Sequence, residues 1–237
     1  MLGVRTTLVV ALTGTVLGLL LGLFVGGFRA VKLDFTASPA SHFLKGFFDV
    51  IANIYITVFR GTPMMVQAVF IYYALLDIIH WDKLPAAIFV ISINTGAYMA
   101  EIIRSGIQAV DPGQTEAARS LGMSNSQTMF SVVIPQAIKN AFPAIGNEFI
   151  VNIKDSSVLM IISITELMFQ AKSIAGSTFH FTETYFIEAL IYLILTSIAS
   201  LILNTIEKRM NTTVRLSLPS SETDNITVNY LSKKEEK

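Results

Sequence analysis

The chain has 237 residues, of which 52% are hydrophobic and only 14% are charged, and its formal net charge is zero. Soluble domains carry about 25% charged residues, so this composition, with a mean hydropathy of +0.59, predicts a protein solvated mainly by lipid. A balanced charge argues against nucleic acid as the main partner. The sequence contains no cysteine, which excludes disulfides and thiolate chemistry, and its three histidines (His42, His80 and His180) are too scattered to predict a metal site.

No phosphate-binding GxxxxGK[ST] sequence occurs in the chain. That loop is the usual cradle for the phosphates of ATP. If the protein uses ATP, hydrolysis must therefore take place on another protein. The sequence predicts a protein that is not an enzyme, with no catalytic residue and no cofactor of its own.

The first apolar segment, residues 8–28, has about the ~20 residues that a membrane-spanning helix needs. Arg29 and Lys32 follow it, as expected after a true span rather than a cleaved signal. Glycine recurs at every fourth position, which places bare backbone along one helix face and predicts close packing against another helix. These glycines are Gly14, Gly18, Gly22 and Gly26.

The second span is predicted to be interrupted. Residues 43–59 form an apolar helix, residues 60–63 (Arg-Gly-Thr-Pro) break it, and residues 64–79 continue it to an outer turn at Trp81. Residues 85–103 form the third span and return the chain inward. Near its end Glu101 and Arg104 are three residues apart and share a helix face.

A polar segment at residues 111–135 follows, and it is predicted to contain two short helices. Asp111 with Gln114 and Ser124 with Gln127 each have the spacing of a capping box. Gly122 supplies the bend between the helices, because glycine reaches backbone angles denied to other residues. Pro135 is expected to end the second short helix and to start the next long one.

The fourth span, residues 137–167, is unusually polar and is predicted to break near Asp155. An outer loop with helical character at 169–184 precedes the last span at 185–203, and a polar tail at 209–237 is predicted to be disordered. The predicted fold is therefore an all-α integral membrane protein with about five spans. The positive-inside rule places the amino terminus outside and the carboxyl terminus in the cytoplasm.

Three motifs carry a family resemblance. Glu116, Ala117, Ala118, Gly122 and Pro135 are spaced as in the EAA loop of ABC importer permeases, with Val132 and Ile134 where isoleucine and leucine are usual. The sequences FRGTPMMVQ at 59–67 and VNIKDSSVL at 151–159 resemble motifs of polar amino-acid permeases of the histidine and glutamine type. The resemblance covers about residues 1–208, which it implies form the transmembrane domain.

The resemblance implies a cell-membrane permease that imports a polar amino acid of the glutamine type, as half of a homo- or heterodimer. It implies two further partners: a cytoplasmic ATP-binding subunit, which the 111–135 loop contacts, and an extracytoplasmic amino-acid-binding protein. Glu116, Ala117, Ala118, Gly122 and Pro135 would then couple the subunits mechanically. An ion-coupled secondary amino-acid transporter is the alternative.

A binding site for an amino acid requires an anion for the ammonium group and a cation or helix amide for the carboxylate. Asp155 is the candidate anion, and Arg104 or the amides near Ser156 are candidates for the carboxylate. Glu101, Thr62 and Gln67 are further candidates to line the cavity. The alternative for Asp155 is structural, as a partner of Arg104 or Lys154. Arg60 is expected to reach lipid phosphates, and Glu148 and Glu166 are expected on protein-facing surfaces without a functional role.

Overall fold

A computed structural model describes residues 2–30 and 38–215 of the chain. Within these two ranges the protein is helical and contains no β-strand, as the sequence predicts. The α-helices are α1 (Leu2–Ala30), α2 (Pro39–Gly61), α3 (Met64–Ile79), α4 (Lys83–Gln108), α5 (Pro112–Ser120), α6 (Asn125–Thr128), α7 (Ile134–Asp155), α8 (Leu167–Thr178) and α9 (Phe181–Arg215). A π-helical turn, Met129–Val133, precedes α7, and a 3₁₀ segment, Ser156–Ile162, follows it.

Four of the described helices, α1, α2, α4 and α9, are long and apolar enough to cross a membrane. A fifth span results if the bent pair Asn125–Ile162 and Leu167–Thr178, which meet at 56°, is counted as one. This agrees with the prediction of about five spans. The apolar side chains of α2 and α9 are mostly exposed, as expected for helices that face lipid.

Helices α1 and α4 form the centre of the bundle, and the glycine face of α1 is the reason they lie so close. Each of the four glycines has a residue of α4 directly against it, so that an added Cβ would overlap that residue. The pairs are Gly14 with Ile91, Gly18 with Thr95, Gly22 with Met99 and Gly26 with Ala100. The predicted packing of the glycine face is confirmed.

A buried polar network joins α1, α4 and α7. Asn152 donates from Nδ2 to Thr15 Oγ1 at 2.8 Å, and its Oδ1 accepts from Thr95 Oγ1 at 3.0 Å. All three side chains are buried. Hydrogen bonds between helices of this kind fix helix register where no water can compete.

The predicted interruption of the second span is confirmed, because α2 ends at Gly61 and α3 begins at Met64. Gln67 satisfies the backbone freed by the break: its Nε2 lies 2.9 Å from the Phe59 carbonyl and 2.8 Å from Thr62 Oγ1. Its Oε1 accepts from Asn94 Nδ2 at 2.9 Å, which connects the break to α4.

The 111–135 segment has the predicted helix–bend–helix arrangement, with two differences. Ser124 and Gln127 form the expected capping box, but the Asp111 side chain accepts from the Gly113 amide at 2.7 Å and makes no reciprocal box with Gln114. Pro135 does not separate two helices, because α6 runs through the π turn into α7 without a break. Proline has no backbone N–H to donate, and its ring clashes with the preceding turn of a regular α-helix. The extra residue of the π turn widens that turn and so accommodates Pro135 within the helix.

Helix α9 is longer than predicted. It runs to Arg215, beyond the predicted boundary at residue 208, because the sequence between them contains no glycine or proline to end it. The predicted disordered tail therefore starts too early at residue 209, and from residue 216 onward it lies outside the described residues.

Candidate functional site

A cleft of about 590 Å³ lies between α4 and α7 and is bordered by the end of α2. Its volume is in the range of small-molecule sites. Charged and amide side chains reach it from three different helices. The polar residues that line it are Arg60, Tyr98, Glu101, Ser105, Asn140, Asn147 and Glu148.

The cleft contains one cation and one anion that are not joined in a salt bridge within the described chain. The Arg60 guanidinium lies over the Tyr98 ring, 5.2 Å from its centroid, which fixes the arginine at the cleft wall. Glu148 on α7 is half-buried and close enough to Arg60 to interact with it electrostatically. Arg60 and Glu148 thus present opposite charges to the same space.

Glu101 lines the same cleft, but its charge is already compensated. Its carboxylate forms a short ion pair with Arg29 of α1 and a second one with Arg104, at 2.7 Å from Nη2 to Oε2. Arg29 also donates to Asn53 Oδ1 of α2 at 2.6 Å. The network therefore ties three helices together and leaves Glu101 with two cationic partners.

The structure separates the other predicted binding residues from this cleft. Asp155 is half-buried at the end of α7, two helical turns from Glu148 and on the same face. Ser156 is fully buried and donates to the Ile153 carbonyl at 2.8 Å. Thr62 and Gln67 hold the α2–α3 break, as described above.

In the described residues neither Arg104 nor Lys154 forms a salt bridge with Asp155, so the predicted structural ion pair is not present.

Sequence reasoning gave Glu148 no role and favoured a lipid-facing position for Arg60. Both residues line the cleft. The seven-residue spacing of Glu148 and Asp155 was a usable signal, because it places both carboxylates on one face of a helix. Nothing in the sequence indicates that the break after Arg60 brings its side chain toward α4 and α7.

The second candidate site is the elbow, which we define as residues 111–135. Glu116 and Ala117 are exposed, whereas Ala118 is only 5% exposed because this face of α5 packs on the π turn. Gly122 has a φ of +82°, a left-handed conformation that glycine adopts without strain.

Two large apolar side chains of the elbow are exposed. Leu121 is 84% exposed and Phe130 is 71% exposed. Exposed apolar groups amid polar ones are typical of a surface that another protein covers.

Broken helices, a charged cleft within an apolar bundle and an exposed polar elbow together define a membrane transport subunit. The chain belongs to the family described as binding-protein-dependent transport system inner membrane component, whose sequence profile matches residues 35–212. The predicted family resemblance is confirmed, as is the placement of the protein in a membrane.

Two relatives match over most of their length. The glutamine transport system permease protein GlnP of Escherichia coli (strain K12) is 36% identical over 211 residues, which are 88% of this chain and 91% of the relative. The arginine transport system permease protein ArtQ of Bacillus subtilis (strain 168) is 34% identical over 210 residues, or 88% and 90% of the two chains.

Solved structures agree with the fold. The crystal structure of an amino acid ABC transporter with histidines superposes with a TM-score of 0.76 at 40% identity, covering 87% of this chain and 92% of the other. The inward-facing methionine ABC transporter MetNI gives a TM-score of 0.71 at 20% identity over 87% and 94% of the chains, which supports the fold alone.

Proposed function

We propose that this protein is the transmembrane subunit of an ABC importer for a polar amino acid. The observation that carries the proposal is that Arg60 and Glu148 line the same cleft without a salt bridge between them in the described residues, so that their opposite charges complement the two charges of any α-amino acid. Relatives named as glutamine and arginine permeases support this substrate class.

In this cleft the Arg60 guanidinium binds the substrate carboxylate, since its fork of donors matches two carboxylate oxygens. Glu148 binds the ammonium group. Asn140 and Asn147, both exposed in the cleft, are placed to hydrogen-bond a polar side chain such as an amide. This arrangement favours glutamine-type substrates over apolar ones.

The binding residues predicted from the sequence have other roles in this proposal. Asp155 provides a second anion on the Glu148 face of α7 and contacts the ammonium group at another stage of passage. Arg104 keeps Glu101 compensated, so that Glu101 does not compete with Glu148 for the ammonium group. Thr62 and Gln67 hold the break that directs Arg60 inward, and Ser156 stabilises the start of the 3₁₀ segment.

The elbow is the contact for a separate ATP-binding subunit. Glu116 and Ala117 are exposed on its surface, and Leu121 and Phe130 supply apolar area for the contact. Ala118, Gly122 and Pro135 keep the elbow joined to α7, so that movement of the ATPase is passed to the helix that carries Glu148. The complete importer also contains a second permease subunit and an extracytoplasmic amino-acid-binding protein.

This mechanism requires the elbow to be cytoplasmic, with the amino terminus outside. The distribution of lysine and arginine supports that orientation. Positions assigned to the inside are Arg29, Lys32, Lys45, Arg119, Lys139, Lys208 and Arg209, and those assigned to the outside are Arg5, Lys83 and Lys172. The ion pair of Arg29 with Glu101 also brings the end of α1 to the half of α4 that leads into the elbow.

The test is uptake of a panel of labelled amino acids into proteoliposomes that contain the permease, its ATPase and its binding protein. We expect ATP-dependent uptake of a polar amino acid. Glu148→Gln should lower the uptake rate by about tenfold or more, because it removes the half-buried charge that binds the ammonium group. Glu183→Gln, at an exposed site on α9, is the matched control and should transport normally.

Two results would contradict the proposal. Transport by Glu148→Gln at the wild-type rate would exclude the cleft as the substrate site. Uptake that proceeds without ATP and follows an ion gradient would favour the ion-coupled transporter instead.

A further inference from the structure

Two glutamates are buried together where α8 meets α9, away from the cleft. Glu166 lies in the bend between the 3₁₀ segment and α8 and is 0% exposed, and Glu188 on α9 is 6% exposed. The two carboxyl groups are close enough to interact electrostatically. An acidic pair at this depth in an apolar bundle is costly unless something compensates its charge.

The hydrogen bonds around Glu166 favour it, rather than Glu188, as the ionised member of the pair. Its Oε1 accepts from the Phe169 amide at 2.7 Å, and its Oε2 accepts from the Met168 amide at 2.8 Å and from the Tyr192 hydroxyl at 3.1 Å. A carboxylate is an acceptor only, and three donors directed at it stabilise the charged form.

Glu188 has the opposite surroundings. Its Oε1 is buried and has no hydrogen-bond partner among the described residues. Tyr192, one helical turn along α9, gives its hydroxyl to Glu166 instead. A second ionised carboxylate beside Glu166, without a donor, would be both desolvated and repelled.

No fixed cation is available to compensate Glu188. In the part of the chain that the structure describes, neither Glu166 nor Glu188 takes part in a salt bridge. Thr7, on the facing side of α1, is uncharged and its Oγ1 accepts from the Leu167 amide at 3.2 Å. The basic residues of the adjoining helices, Arg5 on α1 and Lys172 on α8, are exposed.

We propose that Glu166 and Glu188 form a proton-binding site, in which one proton resides on Glu188 while Glu166 is a carboxylate. The proton is the ligand, and the site needs no metal ion. Loss of this proton places two negative charges in the same apolar interface. Because Glu166 caps α8 and is bonded to Tyr192 of α9, deprotonation loosens the contact between these two helices.

The direct test is infrared difference spectroscopy of the full chain in lipid nanodiscs at neutral pH. We expect one carboxylic-acid C=O band that is present in the wild type and absent in Glu188→Gln. Glu183→Gln, which alters an exposed glutamate on the same helix, should leave the band unchanged. A spectrum in which Glu188→Gln loses only carboxylate bands would overturn the proposal.

A second measurement applies even if the variant folds poorly. A free glutamate loses its proton at about pH 4.3. Above that pH the folded wild type holds one proton more than the unfolded chain, so its stability must fall as pH rises. As pH is raised above neutrality until the Glu188 band is lost, we expect the melting temperature to fall by about 2–4 °C or more. A melting temperature that stays constant or rises while the band is lost would overturn the proposal, as would stabilisation by sodium at fixed pH and ionic strength, which would indicate a bound metal cation.

Discussion

The packing of α1 on α4 leads to a prediction that uses two neighbouring glycines with opposite surroundings. A Cβ added at Gly22 would lie 2.8 Å from the Met99 carbonyl carbon and 2.9 Å from the Ala100 nitrogen. These are backbone atoms, so the neighbour cannot rotate away and the helices must separate. A Cβ added at Gly27 would meet none of the described residues within 4 Å.

The same substitution therefore has different consequences at the two positions. Replacing a helical glycine by alanine gains up to about 1 kcal/mol from helix propensity at either position. Overpacking at Gly22 costs about 1–3 kcal/mol. We expect Gly27→Ala to be neutral or slightly stabilising and Gly22→Ala to be destabilising, with a difference of about 1–3 kcal/mol between the two variants, in which the propensity contribution cancels.

Thermal unfolding in detergent, followed by tryptophan fluorescence, measures this difference. The chain has one tryptophan, Trp81, whose ring lies 5.4 Å from that of Phe89 on α4 and so reports on that helix. The reasoning is refuted if Gly22→Ala is as stable as Gly27→Ala, because α1 and α4 could then not be in backbone contact at Gly22.

Three further predictions concern single contacts. Asn152→Ala removes the acceptor of the Thr95 hydroxyl and the donor to Thr15 Oγ1, which keeps only its bond to the Ala11 carbonyl. It should lower the free energy of unfolding by about 1–3 kcal/mol in a denaturation series. Gly122→Asp should abolish ATP-driven uptake in proteoliposomes while the amount of protein in the membrane stays normal. Normal uptake by this variant would contradict the coupling role of the elbow. Ser124→Ala removes the cap of α6, which costs about 0.5–2 kcal/mol locally, so amide exchange of residues 125–128 should quicken although the melting temperature hardly changes.

Helices and their breaks could be predicted where the cause is local. The glycine face of α1, the Arg-Gly-Thr-Pro break, the Gly122 bend and the capping box at Ser124 each depend on residues within a few positions of one another. These four features therefore occur in the structure at the positions predicted from the sequence. Asp111 caps α5 as predicted, but its side chain accepts from the Gly113 amide and does not form the predicted box with Gln114.

The candidate site depended on contacts between distant segments, which the sequence does not specify. Glu101 lines the cleft, and its neutralisation by Arg29, from another helix, could not be predicted. Arg60 and Glu148 are brought together only by the packing of three helices. The π turn that joins α6 to α7 was not predicted either.

The most direct test of the central claim is the accessibility of the elbow from each side of the membrane. Because the chain has no cysteine, Glu116→Cys and Lys172→Cys can each be labelled uniquely with a membrane-impermeant maleimide. We predict that Glu116→Cys reacts only from the cytoplasmic face and is protected when the ATP-binding subunit is added, whereas Lys172→Cys reacts only from outside. Labelling of Glu116→Cys from the outer face, or labelling that the ATPase does not reduce, would contradict the account.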